Sequence, residues 1–555
     1  MAAVGYRAPW DRREMVLAGL FAEVLGLPQL GIDHSFFDAG GDWLSAAQLV
    51  QRIQARLGIE IEVQALSKTP TVAGLSAWLG PQIAHRTRRV LAVRERPSHI
   101  PLSFAQAYWC EWFVDQLQGP TRGLVTADVA VRMTGHLDAD ALAAAVRDMV
   151  VRHENLRTVF PRVGGVPEQV VLPAEQIDFS CGIVTATTWS ADRLQDAIDA
   201  VIEERFVLVD EIPLRARLFR VAEDEHVLVL VIHHIVMDGW SVIPLFRDLG
   251  RAYASRRAGQ APSWAEPAVQ YADYTLWQGE FLGDPADSRS VLGAQLAYWE
   301  QALAGMPARL ALPTDRPYPL VADQRGDCVE VVWPVELHQR MVRLAREHTA
   351  TTFTVFQAGL TALFSRLCRT TDVVYGITTS GRSDIAFDDL VGLFIDELVM
   401  RIEISGDPTF VELLAVVRAR NLAGYQHKDV PFVALCDRLN PVRSLAQHPL
   451  FQVNLVWRPA AQANNCDADP SWGDLQITWL YANNVAAALM DLEFLFDECW
   501  AAGGEPAGIR GVVDFRTDVF DAASITLLVE RLEQVLVALK ADPSRRLSSI
   551  DGMVA

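Results

Sequence analysis

The sequence predicts a small four-helix bundle followed by a much larger α/β unit built as two lobes around a cleft. Three observations predict it. Apolar residues recur at helical spacing through the first 80 residues. After residue 98, helical stretches alternate with short runs rich in branched side chains, the pattern of an α/β fold. The stretch after residue 98 is also longer than one hydrophobic core usually organises, so two lobes with a ligand cleft between them are expected.

Composition narrows the function classes. The chain has 555 residues, 50% of them hydrophobic and 21% charged, which is globular rather than disordered. A formal net charge of -20 argues against general nucleic-acid binding, because a phosphate backbone would be repelled. Seven scattered cysteines form no CxxC pair, and no charged-then-apolar leader precedes them. Both features fit a reducing cytoplasm. Apolar runs such as HVLVLVI, His226 to Ile232, are too short to span a bilayer and read as buried strands.

The bundle comes first, over residues 12–80. DRREMVLAGLFAEVLGL, Asp11 to Leu27, has helical spacing. A Gly- and Asp-rich loop containing GIDHSFFDAGG follows. A second helix is expected from about Leu44 to Leu57, with Trp43 exposed at its start. SKTPTVAGLSAWLG, Ser67 to Gly80, reads as a turn and a last helix. Residues 81–98 carry Arg86, Arg88, Arg89, Arg94 and Arg96 and read as a solvated linker resting on an acidic neighbour. A nucleic-acid patch would want aromatic interleaving that is missing.

The lobes are expected over residues 99–270 and 271–552. A helix is expected through DADALAAAVRDMVVRHENLRTVF, Asp138 to Phe160. Strands are expected at EQVVLP, HVLVLVI, CVEVVWP, DVVYGITTS and HPLFQVNLVW.

The sharpest local signal is VLVLVIHHIVMDGWS, Val227 to Ser241. A buried strand runs into His233 and His234, and Asp238 and Gly239 follow. Three readings fit these residues. A metal site wants three or four converging ligands, and none lies nearby. A histidine pair satisfied by backbone carbonyls is the bland reading. A general base fits better, because an imidazole exchanges protons near neutral pH and Gly239 allows a tight turn that brings an N–H near a substrate.

HHIVMDG also matches the HHxxxDG signature of condensation domains of nonribosomal peptide synthetases, within the chloramphenicol-acetyltransferase-like acyltransferases. Further segments resemble that family in order. PLSFAQAYWCEW resembles LSxAQxRLW, with Tyr108, Trp109 and Cys110 where the family has a basic residue, leucine and tryptophan. VRHENLRTVF resembles RHExLRTxF, and YADYTLWQ resembles YxDYAxWQ. VGLFIDELVMR resembles IGxFVNTLxxR, with Asp396 and Glu397 replacing Asn and Thr. HKDVPFVALC and HPLFQVNLVW resemble HQDxPFExLV and SHPLFQVxFxxQ.

The resemblance implies a V-shaped pair of chloramphenicol-acetyltransferase-like lobes with a tunnel at their junction. It implies that His234 points into the tunnel, as general base or as positioner of the attacking amine. It implies that His233 and Asp238 are structural. Asp238 would pair with an arginine of the other lobe, and Arg382 is the candidate by position. A buried carboxylate requires such a partner. Gly239 would keep the channel open, Trp240 would pack, and Arg157 would support the junction. DGWSV differs from the DGVSWR of epimerisation domains. The DxxxxD of heterocyclisation domains and the HRxxxDD of the inactive recruiting type are absent.

FFDAGGDWLSA resembles the carrier-protein motif FFxxGGxSLxA, whose serine holds a phosphopantetheine arm at a helix N-terminus. Trp43 occupies the serine position. Ser45 lies about 200° around the helix and is no substitute. The resemblance therefore implies a cytoplasmic peptide-bond-forming enzyme of secondary metabolism. Its substrates would be aminoacyl or peptidyl thioesters on 4'-phosphopantetheine arms of partner carriers, not on its own. It would work with an upstream adenylation domain and downstream adenylation and carrier domains, without metal, nucleotide, nucleic acid or membrane. The alternatives are a non-catalytic carrier-docking or gatekeeping module and a free-standing acyl-CoA acyltransferase.

Overall fold

The structure is a computed structural model. It describes residues 7, 12–27, 30–41, 45–46, 48–50, 52–53, 61, 63–79, 91, 93, 95–110, 126–177, 179–265, 267, 269–323, 325–382, 385–441, 444–458, 472–480, 488–501, 505–541 and 545–549. Trp43, Arg86, Arg88, Arg89 and Arg94 lie outside the described residues.

The N-terminal region is helical. Helices Arg12–Val24, Val63–Lys68 and Val72–Leu79 surround a core with residues 45, 46, 48–50, 52 and 53, which are helical too. Leu17, Phe21, Phe36, Leu49, Ile53, Leu66 and Leu75 are fully buried there. Phe21 and Phe36 meet edge to face with ring centroids 5.3 Å apart. The paired glycines of the loop have separate causes. Gly40 sits at φ +101°, where side chains are strained, and a Cβ on Gly41 would come within 2.3 Å of the Phe36 ring.

Two sheets organise the rest. One has five strands in the order Gln476–Leu480, Thr126–Thr134, Glu225–His233, Leu214–Arg220 and Gly182–Thr185. The other has six, in the order Asp396–Glu403, Asp372–Thr379, Val453–Arg458, Leu492–Trp500, Pro506–Arg516 and Gly326–Trp333. Each sheet has its own apolar core. Strand Glu225–His233 is buried from His226 onward, because helices or neighbours cover both faces.

Two sequence expectations change. The helix expected through Phe160 ends at Arg152. His153 leaves helical geometry at φ −98°, ψ 98° and buries its ring against Asp248, with Nε2 and Oδ2 3.1 Å apart. A 3-10 turn, Glu154–Arg157, and a short strand, Thr158–Val159, take the remaining residues. Strand Gln476–Leu480 also escapes a division at residue 270. It pairs antiparallel with Thr126–Thr134, Leu480 opposite Ala130, and covers what would be an open edge. Aromatic packing holds it there, with Trp479 and Phe246 centroids 4.6 Å apart.

Candidate active site

The central strand of the five-stranded sheet delivers the histidines. After His233 the chain makes a 3-10 turn, His234–Val236, then a second, Gly239–Ser241, and enters helix Val242–Arg257. The two imidazoles face different partners. His233 Nδ1 accepts from the Ile235 N–H at 3.0 Å. Burial, with His234 adding to it, pushes its pKa down to about 3, so the ring is neutral.

His234 is partly exposed. Its Nδ1 lies 3.1 Å from the Met237 carbonyl, which only accepts, so Nδ1 carries the proton. Nε2 therefore bears the lone pair, and it makes no hydrogen bond among the described residues. Burial lowers the pKa of this ring, against the Met237 carbonyl and Asp238, which raise it. The indole of Trp109 lies against it, centroids 5.0 Å apart.

Asp238 is fully buried and locked from both sides. Oδ1 accepts from Ser241 N at 2.9 Å and meets Arg382 Nη2 at 3.2 Å. Oδ2 accepts from Phe394 N at 2.9 Å, and Asp238 N donates to Gly392 O at 3.0 Å. The Ser241 hydroxyl lies 2.8 Å from Asp238 Oδ1 and accepts from Arg382 Nη2 at 2.8 Å. Arg382 also donates to the carbonyls of Phe387 and Leu390 and stacks over the Phe394 ring. One ion pair thus ties the histidine loop to the loop entering strand Asp396–Glu403.

The other expected residues separate. Gly239 is exposed, and a Cβ there would meet nothing within 4 Å. It is not among the residues with positive φ, so the tight-turn reason for glycine is corrected. Space, not backbone conformation, is what a side chain would change. Trp240 is half-buried, and its Nε1 has no partner among the described residues. Arg157 donates to the Leu172 carbonyl and sits 3.7 Å from Glu154, bracing its own turn.

Three residues that reach one or both of these loops were not singled out from sequence. Asn155 Nδ2 donates to Val236 O at 2.7 Å and lies 3.4 Å from Val391 O, so it touches both loops. Gln106 Nε2 donates to Ile235 O at 3.1 Å. Tyr271 donates to Leu393 O and accepts from Ser103 Oγ at 2.8 Å. Each lies inside a segment already recognised, but only a contact map separates it from its neighbours.

Beside Trp109 is a cavity of about 40 Å³ whose wall includes Tyr108, Trp109, Thr378, Asp396, Glu397 and Phe432. Linker residue Arg96 rests on acid, as expected, bonding Asp273 at 3.1 Å and Glu154 at 2.6 Å. The helical region touches the larger unit through Arg52 and Asp388, 2.9 Å apart. Among the described residues no cluster of three or more His, Cys, Asp or Glu could hold a metal, and no helix is long and apolar enough to cross a membrane. For a phosphopantetheine arm the loop frame of Gly40 and Gly41 is in place, but an indole at position 43 offers no hydroxyl for a phosphodiester.

Comparison with known proteins accords with this geometry. Residues 97–554 match the family model described as Condensation domain, and residues 16–79 match Phosphopantetheine attachment site. The isonitrile lipopeptide synthase of Mycobacterium tuberculosis is 50% identical over 98% of this chain. The dimodular nonribosomal peptide synthase of Bacillus subtilis is 43% identical over 99% of it. This chain spans 22% of the length of each relative. Among solved structures, the X-domain in complex with OxyB from teicoplanin biosynthesis is 32% identical with TM-score 0.77, over 85% of this chain and 100% of that one. SgcC5 from Streptomyces globisporus, 24% identical with TM-score 0.65 over 80% of this chain and 100% of that one, shares the fold. The chain belongs to the condensation-domain family, with a phosphopantetheine-attachment domain ahead of the condensation domain.

Proposed function

We propose that this chain joins an acceptor aminoacyl amine to an aminoacyl or peptidyl thioester held on a separate, loaded carrier. The observation that supports it most is His234, whose Nδ1 is fixed on Met237 O while Nε2 stays unbonded beside Trp109. In the step, the amine nitrogen attacks the thioester carbonyl, a C–N bond forms and the C–S bond breaks. His234 Nε2 orients the amine, takes its proton and passes it to the departing thiolate. His233 and Asp238 hold the loop, Arg382 anchors Asp238, and Gly239 leaves room for the thioester arm. Trp240 packs, and Arg157 stiffens the turn beneath.

The two sheets correspond to two chloramphenicol-acetyltransferase-like lobes, residues 99–270 and 271–552, with strand Gln476–Leu480 crossing between them. Residues 12–80 form the carrier unit and 81–98 the linker. Its partners are an upstream adenylation domain and downstream adenylation and carrier domains. Trp43 leaves this carrier unloaded. A second reading, a non-catalytic carrier-docking or gatekeeping module, is favoured by Trp43 and by Asp396 and Glu397 in place of Asn and Thr.

Mass spectrometry decides between them. The chain is mixed with a panel of aminoacyl thioesters on separate modified carriers and of amine acceptors. Amide product with at least one pair is expected. No product with any pair would leave the gatekeeping module standing. Treating the chain with coenzyme A and a phosphopantetheinyl transferase should leave its intact mass unchanged, and Trp43→Ser should add the arm. An unchanged mass in that variant would show that more than the hydroxyl is missing.

A further inference from the structure

Three departures from the family pattern meet in one place. Tyr108 stands where a basic residue is usual, and Asp396 and Glu397 stand where Asn and Thr are usual. Tyr108 and Glu397 lie 289 residues apart in the chain, yet the Tyr108 hydroxyl is 3.4 Å from Glu397 Oε2 and all three residues line the cavity beside Trp109. A position that usually carries positive charge has lost it, and two neutral positions have gained carboxyls.

The cavity's chemistry is one-sided. Its lining contains no lysine or arginine. Phe104, Trp109, Pro431 and Phe432 supply apolar walls. Asp396 Oδ1 accepts from Phe432 N at 3.0 Å and Glu397 N at 2.8 Å, while Oδ2 has no hydrogen bond among the described residues. Glu397 Oε2 lies 3.3 Å from His448 Nε2, which also bonds the Tyr108 hydroxyl at 2.9 Å. Burial pushes the Asp396 carboxyl up to about 7, and no side-chain cation offsets it. A carboxyl so placed wants a cation that the protein does not provide. A volume of about 40 Å³ admits an ammonium-sized head group, since one water needs only about 10–15 Å³ by the same measure.

We propose that this cavity is a specificity pocket for a side-chain ammonium of one of the two aminoacyl substrates, held by Asp396 and Glu397 between aromatic walls. The assignment of the ligand as substrate rests on the amide-forming reading. The ammonium-binding property does not. Asp396 and Glu397 are here specificity residues, separated from His234 by the Trp109 ring.

Two measurements test it. In the first, butylammonium chloride and butanol are titrated calorimetrically into the intact chain. Butylammonium should bind more tightly than butanol by about tenfold or more, and Asp396→Asn should remove that preference. Asn keeps an oxygen for both backbone N–H groups, so the variant should stay folded, and thermal unfolding checks this. The preference should also grow as pH rises through about 7. Glu397 and Tyr108 are the other titratable groups lining the pocket, and Cys436, His448 and Glu493 lie behind them, Cys436 acting on Tyr108 and the other two on Glu397. Equal binding of the two probes, or an unchanged preference in folded Asp396→Asn, overturns the pocket. In the second, diamino-acid substrates are compared with their isosteric neutral analogues, first as acceptor and then as donor. One arm should show at least about tenfold higher kcat/KM for the ammonium form, and Asp396→Asn with Glu397→Thr should erase it. No preference in either arm overturns the substrate assignment. If butylammonium binds but no substrate pair yields amide, the reaction assigned to His234 fails and the pocket stands.

Discussion

His233 and His234 are adjacent, and the hydrogen bond each ring makes sets its role. His233 accepts through Nδ1 and is sealed, while His234 donates through Nδ1 and leaves Nε2 open. Burial lowers the pKa of both, so His234 is a neutral acceptor across the neutral range. A ring-proton NMR titration of His234 should therefore give a midpoint below the ordinary value of about 6.5. A midpoint above it would mean an imidazolium that holds no lone pair for the amine. The sequence made the pair and its following Asp and Gly visible. Which nitrogen was free was not legible, because it depends on a carbonyl three residues away whose direction is set by the turn.

At the scale of elements, the site depends on two loops latched by one buried ion pair. Arg382 and Asp238 are 6% and 0% exposed in their side chains, so neither charge has water to fall back on. Arg382→Ala strands the carboxylate and should cost about 3–5 kcal/mol in urea unfolding, with loss of activity. Arg382→Lys keeps the charge but loses the fork that reaches the carboxylate, Ser241 and two carbonyls, so it should fall between. A cost below about 1 kcal/mol for Arg382→Ala would show that the latch is not structural. The arginine was legible from its place in TTSGRSD and from the need of a buried carboxylate for a partner. Asn155, which bridges the same loops, was not. It occupies the variable position of its segment, and only the break at His153 turns it toward Val236 and Val391.

At the scale of the whole molecule, the helical N-terminal region and the alternating α/β pattern were legible because helical and strand periodicities are local. The crossing of strand Gln476–Leu480 into the other sheet was not, because nothing local says which open edge a strand will cover. Nor was the meeting of Tyr108 with Asp396 and Glu397, which two separate segments bring together. Burial of titratable groups gives the fold a pH signature. Asp396 and Asp514 are pushed up to about 7 and about 8, and Asp514 Oδ1 is buried with no partner among the described residues. The folded chain keeps protons there that the unfolded chain releases above about 4, so these acids lower stability as pH rises toward 8. His233 acts with opposite sign. Its pKa is depressed, so its contribution is lost as pH falls below about 6.5. Urea midpoints should accordingly fall between pH 7 and 8 in the wild type and fall less in Asp514→Asn. Equal slopes would remove Asp514 as the cause. The most direct test of the reaction is single-turnover amide formation from a donor on a separate carrier, compared between wild type and His234→Ala of equal thermal stability. Loss of about hundredfold or more is predicted. Equal rates in the two proteins would contradict the assignment of the reaction to His234.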